Sequence, residues 1–247
     1  MHRGLLVLLF LYCAAMPASA NNNMDIESFW EYGDPAASEA RFREALGAAK
    51  GDERLELLTQ VARTYSLRKD FDTAHGVLAE VEKQLPEAGA RPRVRYLLEL
   101  GRTLNSAGEK EKARSHFLRA WELARESGEE GLAVDAAHMV AITHAGTGVG
   151  VEWNQRALAQ ARESKAPKAR ALIPAMYNNM AWDLHELKRH EEALVAFQKA
   201  LDEWTARGRP RQIQVAKWSL AQALRAVNRM DEAAKIEKTL EEEGFKP

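Results

Sequence analysis

The stretch "YNNMAWDLHELKRHEEALVAFQKAL", residues 177–201, decides the architecture. Ala181 and Ala193 stand twelve residues apart, Phe197 follows four later and Ala200 three after that. Tyr177, Met180 and Leu184 flank Ala181 at helical spacing, so one helix face is apolar with one small position in it. The polar run "LKRHE" interrupts the pattern, and a second apolar stripe starts at Ala193. Two antiparallel helices approach closely only where side chains are small, which puts these alanines at a crossing.

The same arrangement recurs outward in both directions. Small residues stand at Ala62, Gly101, Ala141, Ala181 and Ala221, spaced 39, 40, 40 and 40. Twelve residues after four of them come Ala74, Ala113, Ala193 and Ala233, and four further come Leu78, Phe117, Phe197 and Glu237. A fixed period near forty residues means an array of like units. One helical pair cannot bury both its faces, so neighbours must stack. The pattern predicts an all-α chain with at least ten helices over residues 51–247 and five units at about 51–90, 91–130, 131–168, 169–208 and 209–247. Gly and Pro at each boundary argue against a continuous coiled coil.

These motifs resemble the tetratricopeptide repeat. The second unit reads Leu97, Leu100-Gly101, Leu104, Ala113, Phe117, Ala120, and the fourth Tyr177, Met180-Ala181, Leu184, Ala193, Phe197, Ala200. The family's unit is usually shorter. The excess here falls in "LPEAGARP", "ESGEEG", "ESKAPKA" and "TARGRP", which read as longer connections. The resemblance covers about residues 36–241 and implies a right-handed α-solenoid superhelix. Its concave groove would be lined by the first helix of each unit.

Two segments depart from the pattern. In the third unit Trp153 stands where alanine is expected and "GTGVGVEW" replaces the charged turn, which predicts a distorted loop from about Ala145 to Val151. Residues 21–50 read as an arm plus a partial unit, in which Asp34-Pro35 opens a helix and Asp25 to Tyr32 form a short helix or an extended arm. Glu237 replaces the aromatic of the last unit and reads as a polar cap.

Apolar residues make up 46% of the 247-residue chain and charged residues 29%, a globular composition. A formal net charge of -1 gives no general pull toward nucleic acid or an anionic membrane. Residues 1–20 read as a secretory signal peptide: Arg3, the apolar run Gly4 to Ala15, then Ala18-Ser19-Ala20. Cleavage would start the mature chain at Asn21 and remove Cys13, the only cysteine, leaving no disulfide or thiolate site and no membrane span. An exported array without disulfides suits a bacterial periplasm. Translation from Met24 would instead make the protein cytoplasmic.

Three features tempt a chemical reading. His185-Glu186 and His190 resemble a zinc-protease box, but its histidines belong four apart on one helix face and these are five apart across a turn. Gly146, Gly148 and Gly150 follow no strand, so a flexible connection is expected rather than a nucleotide site. No nucleophile–base set stands out. No cofactor or metal is expected, and the chain is read as no enzyme.

The resemblance implies a binding groove at Arg63, Arg102, Asn105, His138, Asn178, Asn179, Trp182, His185, Trp218, Gln222 and Arg225. Amides there can bond an extended ligand backbone, and arginine and tryptophan anchor interfaces. The expected partner is a protein or peptide, with acidic or C-terminal carboxylate character set by the arginines, and no nucleic acid. The chain would serve as a scaffold or adaptor of the cell envelope. The alternative is a structural subunit or spacer of an envelope complex using its convex face or ends, and a cryptic enzyme is the third reading.

Overall fold

The computed structural model describes residues 25–31 and 33–246. The expected signal peptide, its cleavage point and the Met24 alternative lie outside the described residues. Among the described residues there are twelve α-helices and no strand.

The chain enters through a 3₁₀ turn, Ile26–Phe29, and then α1 (Pro35–Leu46). Asp34 caps α1, its carboxylate accepting from the Ala36 and Ala37 amides at 3.0 Å each. Five helical pairs follow: α2 (Gly51–Leu67) with α3 (Phe71–Glu82), α4 (Ala90–Ser106) with α5 (Lys110–Glu126), and α6 (Glu130–Thr143) with α7 (Gly148–Glu163). After the short α8 (Pro167–Ala171) come α9 (Ile173–Glu186) with α10 (His190–Ala206), and α11 (Pro210–Ala226) with α12 (Met230–Glu242). Eleven of these helices fall in residues 51–247, as the period predicts.

The repeated positions are the core. Gly101 is buried, and Ala62, Ala141, Ala181 and Ala221 are at most 1% exposed, as are Ala74, Ala113, Ala193, Ala233, Leu78, Phe117 and Phe197. The turns repeat as well. Lys69, Gly108, Lys188 and Asn228 each stand seven residues after the small residue, and each has positive φ, from 61° to 90°. The next amide in each turn reaches back to the first helix: Asp70 to Tyr65, Glu109 to Leu104, Arg189 to Leu184 and Arg229 to Leu224, at 2.9–3.0 Å. This is the glycine-type helix ending that satisfies orphan carbonyls.

The third unit corrects two expectations. Its loop is not stretched over Ala145 to Val151; only residues 144–147 are outside helix, and α7 begins at Gly148. Nor is the glycine run simply a flexible connection, since Gly148 and Gly150 lie in the first turn of α7 and Gly146 supplies the positive φ of 78°. Asp183 of α9 holds this turn. Its carboxylate accepts from the Gly146 amide at 2.7 Å and from Asn154 Nδ2 at 3.2 Å. The boundary expected between residues 168 and 169 falls inside α8. There the first helix of the fourth unit is broken ahead of Pro174, which lacks the amide to continue it.

Candidate ligand-binding face

Stacking the first helices side by side brings their polar residues together. Gln60 of α2 is fully buried and donates to Glu99 Oε1 of α4 at 3.3 Å. Glu99 accepts from Arg102 at 2.8 Å, and Arg63 Nη1 of α2 stands 3.8 Å from the same carboxylate oxygen. Arg102 continues to both oxygens of Asp135 on α6 at 2.6 Å. His138 of α6 meets Asn179 of α9, with 2.9 Å between the imidazole Nε2 and the amide Nδ2. A polar ladder thus crosses four first helices. Closer to the helix starts, Glu56 accepts from Arg95 at 2.7 Å and from Arg91 at 3.0 Å, and Arg91 reaches Glu129 at 2.7 Å.

Burial sets the protonation of this ladder. It pushes the His138 imidazole down to about 4, against the opposing pull of Asp135. The same burial would raise the Asp135 carboxyl, but the Arg102 guanidinium outweighs it and holds that group below the usual range. A neutral His138 accepts at Nε2 from the Asn179 amide.

Of the eleven expected groove residues, Arg63, Arg102, His138 and Asn179 are therefore joined by the ladder. Asn178 and Trp182 of α9 and Trp218 and Gln222 of α11 lie outside it, all half-buried. The Trp182 ring lies 5.9 Å from Trp218 and stands edge-on to Phe197 at 5.1 Å. Trp218 also lines an open cavity of about 340 Å³ with Leu240, Gly244 and Phe245. The remaining three candidates stand apart from the ladder. Arg225 bonds Glu237 of α12 at 2.8 Å, His185 stands edge-on both to Trp182 and to His190 at the start of α10, with centroids 5.6 and 4.9 Å away, and Asn105 is half-buried near the end of α4. Among the described residues no group of three or more His, Cys, Asp or Glu is placed to hold a metal ion.

The sequence reading missed two contributors. Trp30, ahead of α1, is 8% exposed and donates its indole N–H to Gln60 Oε1 at 3.1 Å. Lys168 of α8 stands 3.9 Å from Asp25 and 3.7 Å from Glu27. The arm ahead of α1 therefore runs over the first-helix face, from the first unit to the start of the fourth. No periodic signal marks it.

Residues 175–206 match the Tetratricopeptide repeat family. No curated protein sequence is significantly similar to the chain. Among solved structures, BtubC (BKLC) from P. vanneervenii superposes with a TM-score of 0.65 at 15% identity, covering 91% of this chain and 95% of that one. A signal transduction ATPase (STAND protein) with a tetratricopeptide repeat sensor from Pyrococcus horikoshii gives 0.69 at 16%, covering 85% of this chain but 34% of that one. A Rap protein complexed with competence and sporulation factor gives 0.61 at 17%, covering 89% and 64%. At these identities the likeness is one of fold. The chain is an α-solenoid of tetratricopeptide-type repeats, and its fourth unit carries the family's own sequence signature.

Proposed function

We propose that the chain is a non-enzymatic protein- or peptide-binding scaffold whose ligand lies on the first-helix face around Trp182 and Trp218. The observation that carries this is the tilted indole pair on two adjacent first helices, each indole four residues along its helix from a half-buried amide, Asn178 or Gln222. Paired indoles cover an apolar ligand side chain, and free amides can bond its backbone. The Rap protein solved with competence and sporulation factor supports a ligand-binding use of this fold. An acidic ligand would act by exchange, because Arg102 and Arg225 already hold carboxylates. Export to a bacterial periplasm belongs to the same proposal, and N-terminal sequencing of the protein from that compartment should read Asn21 first.

The deciding experiment recovers the partner by pull-down from the native compartment and titrates it against wild type and Trp218→Ala. Loss of about 2 kcal/mol or more is expected for a buried tryptophan anchor. Equal affinity with a normal melting curve would remove the ligand from this face. The structural-subunit reading would then gain, since Leu194, Val195, Leu220, Leu224 and Ile236 line an open groove of about 720 Å³ between the second helices α10 and α12.

A further inference from the structure

We infer that residues 25–31, DIESFWE, occupy the first-helix face as a ligand in cis, and that a partner segment of the same chemistry displaces them. That chemistry is a pair of carboxylates followed, three to five residues on, by an indole. The inference rests on the first-helix face being the ligand site, and it extends that site toward α2.

The arm is not a unit of the array. It makes one 3₁₀ turn and is extended at Trp30, with φ -78° and ψ 131°. Its C-terminal half is a firm anchor. The Trp30 indole donates to Gln60, whose own amide is fixed by Glu99 and Thr59, and the ring packs edge-on to Phe42 at 5.1 Å under the Arg63 guanidinium. A buried network that presents one acceptor to an indole N–H is a reader for that ring, since any replacement must supply the same donor. In the other half Ile26 is 2% exposed, in one core cluster with Phe42, Leu57 and Val61, and it is the flanking carboxylates that are held loosely. The Asp25 and Glu27 carboxylates are 69% and 38% exposed and stand beyond 3.6 Å from a Lys168 ammonium that is 41% exposed. Exposed ion pairs of this kind contribute little, so release of this end is opposed chiefly by the burial of the single Ile26 side chain, while the Trp30 anchor is held by hydrogen bond and packing together. A competing segment can then enter at Lys168 and take the indole position last. The tether keeps the arm at high effective concentration, so the closed state is the resting one.

The probe is a fluorescein-labelled peptide of sequence DIESFWE, titrated by polarisation against the full chain. Three further proteins are compared: D25K/E27K, D25K/E27K/W30A, and the latter with K168E added. An arm docked nine-tenths of the time weakens a competitor about tenfold, so releasing it should tighten the peptide by about that factor. Adding K168E to the released chain should weaken the peptide again. If W30A unfolds the opening segment, the D25K/E27K chain still shows partial tightening. Equal affinity for all four proteins, or binding to none, would overturn the inference and leave the arm as a cap. If the peptide fails while the pulled-down partner still depends on Trp218, only the cis-ligand inference falls. If the partner ignores Trp218 but the peptide shows the expected order, the reverse holds.

Discussion

Gly101 of α4 lies directly beneath the ring of Phe117 of α5: a β-carbon at residue 101 would sit 2.5 Å from Phe117 Cε1 and 2.7 Å from Cδ1. Both residues are fully buried, so the ring cannot swing into solvent. Gly101→Leu should therefore destabilise the second unit by about 1–3 kcal/mol or more through overpacking. Thermal melting followed by circular dichroism reads this directly. An unchanged melting temperature would contradict the crossing described for this pair.

The third-unit turn should depend on a residue of the fourth. Asp183 is 4% exposed, and burial raises its carboxyl above the ordinary value, yet it still accepts from Gly146 and Asn154. Asp183→Ala strands the Gly146 amide and should cost about 1–3 kcal/mol. Amide exchange of Gly146 should accelerate in the variant, while the opening unit stays protected.

The His138 imidazole gives a stability slope of known sign. Its folded value of about 4 lies below the ordinary imidazole value of 6.5. As pH falls below 6.5 the unfolded chain takes up a proton that the folded chain refuses, so stability declines until pH reaches about 4. The full effect is up to about 3 kcal/mol. Urea melts across that range should show it, and His138→Gln should flatten the slope between the two values. Asp135, whose folded value is lowered, contributes in the separate acid window below 3.8.

Asn179 carries a structural consequence that its position in the sequence does not announce. With its amide on His138, Asn179→Ala removes the donor to a buried imidazole and should lower stability by about 1 kcal/mol. Melting of the variant at neutral pH measures it. Loss of ligand binding must be judged against that shift.

Lys188 occupies the left-handed region at φ 63°, where its β-carbon crowds the backbone. Gly108 stands at the same place in the second unit. Lys188→Gly should stabilise the chain by about 0.5–1 kcal/mol, read as a raised melting temperature.

The repeat register was legible because it rests on packing of neighbours in sequence. Ala181, Ala193 and Phe197 lie within one helical pair, and their sizes alone fix the crossing. The helix break at Pro174 had a visible cause in the proline itself. The turn at Gly146 was misread because glycine reports only freedom, whereas the constraint comes from Asp183, 37 residues away. The binding face was half legible. Residue types at first-helix positions pointed to it, but whether an arginine is open or already paired depends on partners such as Asp135, 33 residues from Arg102. The arm was legible as a break in the pattern, but where it docks was not, since a single indole on Gln60 has no period.

The ladder across the first helices also bears on how such an array can be rearranged. Each rung joins unlike groups: an amide to a carboxylate at Gln60–Glu99, a guanidinium to a carboxylate at Arg102–Asp135, an imidazole to an amide at His138–Asn179. Neighbours are thus chemically addressed to one another. Transposing the second and third units would leave Glu99 or Asp135 facing a surface with no matching group, at the cost of an unpaired buried charge. The crossings at Ala62, Gly101 and Ala181 would accept any order of units; the rungs accept one.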